Sequence, residues 1–172
     1  MPNNKVSNVS NVSNVRNISS ARNILASTSK LWLLDTNILS AIIKNPTGMA
    51  ATRAMAIAQA HLRYQTRTDP GQLVTSVVVE CELAFGAQRV GSTALLQKIS
   101  QLLQLIAPQP FGQDGVAHYA NIRTQLQKSG TPMCPNDTFI AAHALALGAT
   151  LVTDNEAEFR RVPGLQVENW LR

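Results

Sequence analysis

The chain has 172 residues, 45% of them hydrophobic and 15% charged, which is enough length and apolar content for one domain with a sizeable core. That composition excludes an intrinsically disordered protein, and the absence of any apolar run near about 18 residues excludes a membrane-spanning helix. The formal charge of +5 does not point to nucleic acid by itself, because Lys5, Arg16, Arg22 and Lys30 supply four charges in an acid-free stretch, while residues 31–172 balance 11 bases against 10 acids.

Residues 1–30 read as a disordered, low-complexity tail ahead of a single domain spanning 31–172. From Val6 to Asn17 the tail repeats VSN-VSN-VSN-VRN, too polar and too short in period to bury a core. Its Ser-rich, acid-free character is also that of a transit peptide, but it contains no secretory apolar segment. From Leu31 onward, strands and helices alternate. Residues 31–34 form an apolar strand, and residues 36–44 have helical spacing in Ile38, Leu39, Ile42 and Ile43, ended by Asn45-Pro46. An Ala-rich helix over 48–64 follows, then a turn at Asp69-Pro70-Gly71. Residues 73–76 are a strand feeding a helix over 77–90, and residues 93–103 a helix with Leu95, Leu96, Ile99, Leu102 and Leu103 on one face. A strand is predicted at 105–107, closed by Pro108 and Pro110. Helices over 113–129 and 135–147 stop at Gly130 and Gly148, and strands at 150–153 and 165–168 complete the chain. Short strands separated by helices predict an α/β fold with a parallel sheet.

In such sheets, ligands bind where the strands end at their carboxyl edge. Asp35 follows the first strand and Asp154 follows TLVT, so two acids from separate strands reach one edge. Glu80 and Glu82 lie early in the helix after the second strand, and Asp137 lies in the first turn of the helix opening with Pro135. Singly, each has an ordinary explanation: Asp35 as a helix cap, Asp137 at the positive end of a helix dipole, the others as solvated acids. Together they repel and raise one another's pKa, a situation that Mg²⁺ or Mn²⁺ reverses by accepting oxygen ligands. Such a site polarises a phosphodiester without a nucleophilic Ser or Cys. Cys81 and Cys134 are too far apart in sequence for a zinc pattern. His118 and His143 read as packed side chains, Trp32, Trp170 and Tyr64 as core or interface anchors, and Arg123, Arg160 and Arg161 as solvated helix faces, with contact to phosphates as the alternative.

Four blocks, LLDTNILS (33–40), ECELAFGA (80–87), PNDTFIAAHALALGATLVTDN (135–155) and EFRRVPGLQVENW (158–170), resemble PIN-domain ribonucleases of the VapC toxin type, in order across residues 31–172. The resemblance implies a PIN-like three-layer fold whose central, mostly parallel sheet has four to five strands flanked by helices. It assigns metal-binding acids to Asp35, Glu82 and Asp137, choosing Glu82 over Glu80 because Leu83 and Gly86 follow at the offsets of E-L-x-x-G. The fourth acid position falls on Asn155, with Asp154 one residue earlier as a further catalytic candidate, and Thr36, Asn37, Thr153 and Asn155 support the acids by hydrogen bonds. What it implies functionally is a cytoplasmic, Mg²⁺- or Mn²⁺-dependent endoribonuclease leaving 5′-phosphate and 3′-hydroxyl ends, homodimeric and restrained by a VapB-type antitoxin, with no membrane partner.

Two rival readings remain. Haloacid-dehalogenase-like phosphatases also place Asp after a first strand, but their D-x-D-x-T pattern needs an acid where this chain has Asn37. A PIN-fold binding protein without cleavage is the other, kept open by Asn155.

Overall fold

The computed structural model describes residues 30–63 and 71–172. The tail before residue 30, Tyr64 and most of the Asp69-Pro70-Gly71 turn therefore lie outside the described residues. Strand β1 (Leu31–Leu34) is followed by α1 (Thr36–Lys44) and α2 (Met49–Arg63), then β2 (Gln72–Ser76), α3 (Val77–Val90), α4 (Thr93–Leu105) and β3 (Pro108–Gln109). Helices α5 (Gln113–Lys128) and α6 (Pro135–Leu147) lead to β4 (Thr150–Val152), the short α7 (Glu156–Phe159) and β5 (Val167–Glu168).

The five strands form one sheet in the order β3-β2-β1-β4-β5, and every neighbouring pair is parallel. Successive side chains on a strand point to opposite faces, and Leu33 and Leu34 are both fully buried, so both faces of the sheet are covered. That is the three-layer α/β arrangement expected. Ile38, Leu39, Ile140, Leu151 and Phe159 fill the same core. Trp32 and Trp170 meet edge to face with centroids 6.1 Å apart. Trp170 Nε1 donates to Glu168 at 2.9 Å, and Lys30 and Arg53 pair with that same carboxylate. Both tryptophans are thus core anchors. No helix among the described residues is long and apolar enough to cross a membrane.

The helix ends follow from local chemistry. Ser76 caps α3 by accepting from the Val78 amide at 3.1 Å, and Gly91 ends it in the left-handed region at φ 67°. Pro135 occupies the first turn of α6, where its missing N–H costs nothing, and Gly148 closes that helix at φ 62°. The third strand differs from expectation. Helix α4 runs on through Leu105, which is 79% exposed, and pairing begins only at Pro108, opposite Thr75. Because β3 is an edge strand, a residue with no N–H to donate is tolerated there. The last strand is likewise shorter than 165–168, since the Leu165 amide bonds back to Val162 in a turn. Helix α7 carries too few residues to show helical periodicity in sequence and was not anticipated.

Chain order moves from β1 outward to β2 and β3, then returns to the other side of β1 for β4 and β5. The reversal between β1 and β4 opens a crevice at their carboxyl ends.

Candidate active site

Asp35 stands at that crevice. Its amide donates to the Val152 carbonyl at 2.9 Å, which continues the β1–β4 pairing by one residue and fixes the backbone at the sheet edge. Its carboxylate, in a residue only 5% exposed, accepts from the Thr36 amide (2.7 Å), Asn37 Nδ2 (2.8 Å) and Thr153 Oγ1 (2.7 Å). Asp35 therefore caps α1 while its other oxygen faces Asn37 and Thr153. Burial raises its pKa, those three hydrogen bonds oppose the rise, and the Glu82 charge adds to it.

Glu82 reaches the same place from α3. Thr36 Oγ1 donates to one of its oxygens in a short hydrogen bond, and Asn136 Nδ2 donates to the other at 2.8 Å. Asp137, in the first turn of α6, is half-buried, and its pKa is pushed up to about 6 by burial first, then by the charges of Asp35, Glu82 and Glu158. Three elements thus bring Asp35, Glu82 and Asp137 within electrostatic reach of one another. Among the described residues, none of the three pairs with a lysine or arginine.

Further hydrogen bonds link Asn37, Thr153 and Asn155 beside Asp35. Thr153 Oγ1 accepts from Asn37 Nδ2 and from the Asn155 amide, both at 3.0 Å, while Asn37 Oδ1 accepts from the Asp154 amide at 3.0 Å. The side chain of Asn155 makes no capping bond to α7, and its amide is the part that supports Thr153. Asp154 is not brought to the trio. Its carboxylate accepts from Asn169 Nδ2 at 2.9 Å and lies 3.6 Å from Arg172, and it is not among the charges acting on Asp35 or Asp137. Glu80 lines a separate cavity between α3 and α4 with Leu96 and Pro108, as expected for a position about 200° around the helix from Glu82. Two participants escaped sequence reasoning: Asn136, whose place beside Asp137 was its only signal, and Glu158, which had none.

Among the described residues, no three His, Cys, Asp or Glu side chains converge as a ready-made metal cage. Hydrogen bonds from Thr36 and Asn136 hold Glu82. The donor set nonetheless fits a hard divalent cation, which takes one or two carboxylates and fills its remaining positions with water and phosphate oxygens.

A parallel sheet with an acidic crevice at its switch point defines an α/β domain suited to phosphodiester chemistry. Residues 32–165 match the PIN domain family, and the chain belongs to it. Among its relatives, a ribonuclease VapC2 of Rickettsia felis is 31% identical over 142 residues, covering 81% of this chain and 98% of the relative. A tRNA(fMet)-specific endonuclease VapC of Salmonella typhimurium is 28% identical over 140 residues, covering 81% and 97%. The fold superimposes on the VapBC2 complex of Rickettsia felis bound to a promoter DNA fragment with a TM-score of 0.70 and 29% identity, covering 81% of this chain and 98% of that one.

Proposed function

We propose that the chain is an endoribonuclease, the toxin of a toxin–antitoxin pair, that hydrolyses RNA phosphodiesters with a divalent cation, Mg²⁺ or Mn²⁺. One observation carries this reading: three carboxylates, just after β1 and on α3 and α6, act on one another electrically, and among the described residues none of them pairs with a lysine or arginine. A cation bound there would polarise the scissile phosphodiester and offset the charge that develops on it. Asp35 and Asp137 would hold it, and Glu82, already oriented by Thr36 and Asn136, would position the attacking water. Thr153 and Asn37 keep Asp35 turned into the crevice. Asp154, directed toward Asn169 and Arg172, has no part in this scheme.

The same uncompensated charge favours a VapB-type antitoxin as partner, one that could place a basic side chain over the cleft. We place the protein in the cytoplasm with its RNA, as a homodimer. The test is purified chain, free of antitoxin, incubated with tRNA in Mg²⁺ and in EDTA. Cleavage in Mg²⁺ only, lost in Asp35→Asn and Asp137→Asn, is expected, with 5′-phosphate ends on the products. RNA surviving equally in every lane, with folding verified by circular dichroism, would remove the nuclease and leave a PIN-fold binding protein.

A further inference from the structure

Helices α3 and α6 run antiparallel beside the crevice and are tied together at two heights. At the crevice, Asn136 Nδ2 donates to Glu82 Oε1 at 2.8 Å. Deeper in the fold, at the carboxyl end of β2 and level with Asp35, His143 Nδ1 and Ser76 Oγ lie 2.9 Å apart in a buried hydrogen bond. Ser76 precedes Glu82 by six residues and His143 follows Asn136 by seven, so the ties are spaced by about 9 Å and about 10.5 Å of helix rise, within one residue of each other. Two ties of closely similar spacing fix how far one helix can slide along the other. Ser76 Oγ also accepts from the Val78 amide at 3.1 Å, so the lock grips α3 at its first turn.

His143 Nε2 is buried, and among the described residues no hydrogen bond to it has normal geometry. The Pro110 carbonyl acts on the ring without closing a bond of normal geometry, and the edge of Phe111 packs at 5.5 Å between centroids. An apolar side chain of similar size would fill this space without stranding a nitrogen. Packing alone therefore does not account for an imidazole here, whereas the contact to Ser76 does.

We propose that His143 is a positioning residue: its bond to Ser76 sets the axial register of α6 on α3 and so holds Asp137 level with Glu82. The consequence for metal binding rests on the carboxylate reading above, but the register does not. Asn carries a donor and an acceptor at the position of Nδ1, so it can remake the Ser76 bond whichever partner donates. Leu fills the space and cannot.

The experiment uses the full chain with His143→Leu, His143→Asn and, as a control for core damage away from the lock, Ile122→Val in α5. Mn²⁺ binding is followed by electron paramagnetic resonance without RNA, and amide hydrogen exchange is measured without metal. His143→Leu is expected to raise the Mn²⁺ half-saturation about ten-fold, the scale on which groups supporting metal ligands act, and to speed exchange in residues 77–84 and 135–140. His143→Asn, although it leaves a cavity and melts lower, retains near wild-type affinity and protection. Ile122→Val melts lower with its affinity unchanged. Wild-type behaviour in His143→Leu, or equal losses in the Leu and Asn variants, overturns the proposal. If the wild-type chain binds no Mn²⁺, the metal reading fails on its own. Exchange then decides: faster in Leu but not in Asn supports the lock, and no difference ends it.

Discussion

Replacing Asp137 by Asn should make the metal-free protein more stable. In the fold, the Asp137 pKa rises from 3.8 to about 6, a shift of about two units, equivalent to about 3 kcal/mol favouring the protonated over the charged form. Asp137 is half-buried, so solvent screening reduces this to about 1–2 kcal/mol. For a chain of this size, that corresponds to a rise of about 3–6 °C in melting temperature. The sign follows from linkage. A carboxyl whose folded pKa is raised contributes stability that is fully present below pH 3.8 and lost as the pH climbs through about 6. Asn imitates the protonated form at every pH, so its advantage should be largest near about pH 8 and vanish near about pH 4. Thermal melts in EDTA at both values measure it. Divalent cation should then reverse the order, adding about 2.7 kcal/mol to wild type at a hundred-fold excess over Kd and little to the variant. A variant melting at or below wild type in EDTA near pH 8 would refute the view that these acids repel one another.

Asp35→Asn should gain nothing comparable, because Asp35 accepts three hydrogen bonds and Asn offers only one acceptor oxygen; melts in EDTA should place it at or below wild type, with cleavage abolished. Glu82→Gln cannot accept from Asn136 and Thr36 together, so kcat should fall at least about 100-fold while circular dichroism stays native. Asp154→Asn, whose carboxylate faces Asn169 and Arg172, should keep cleavage within about two-fold, since surface pairs of this kind are worth under about 1 kcal/mol. Burial lowers the His143 pKa below 6.5, so its contribution to stability is lost as the pH falls below that value. Urea midpoints near about pH 5.5 and 7.5 should therefore show a smaller acid loss in His143→Leu than in wild type.

Much of this architecture could be read directly from the sequence. The sequence bounds of helices α1 and α6 agree with the structure because each carries its own punctuation: Asp35 ahead of α1 and Asn45-Pro46 behind it, Pro135 inside the first turn of α6 and Gly148 at its end. Strand β3 was misplaced because two residues cannot display a period, and because the prolines that break a helix also stand inside that edge strand. The site divides the same way. Asp35 is fixed by its strand, but Glu80 and Glu82 are equally acidic and equally early in one helix. Only the direction each takes around α3 separates them, and the flanking E-L-x-x-G pattern was the sole trace of that direction in the sequence. Asp154 shows the opposite failure, since a strand end predicts where a backbone stops and not which way the next side chain turns.

The three acids are held by different contacts. Asp35 is locked by backbone pairing to Val152 and by three donors, so it cannot retreat from the others. Glu82 and Asp137 arrive on helices. Glu82 is held by two neutral donors that leave its charge intact, and Asp137 by the packing of α6. Repulsion among the three raises the cost of ionising them together, and an incoming positive charge relieves it. A cation and a basic side chain of a partner would compete for the same release. Binding of either should weaken binding of the other by the same factor, so a partner that inhibits by this route must lose affinity as the divalent cation concentration rises.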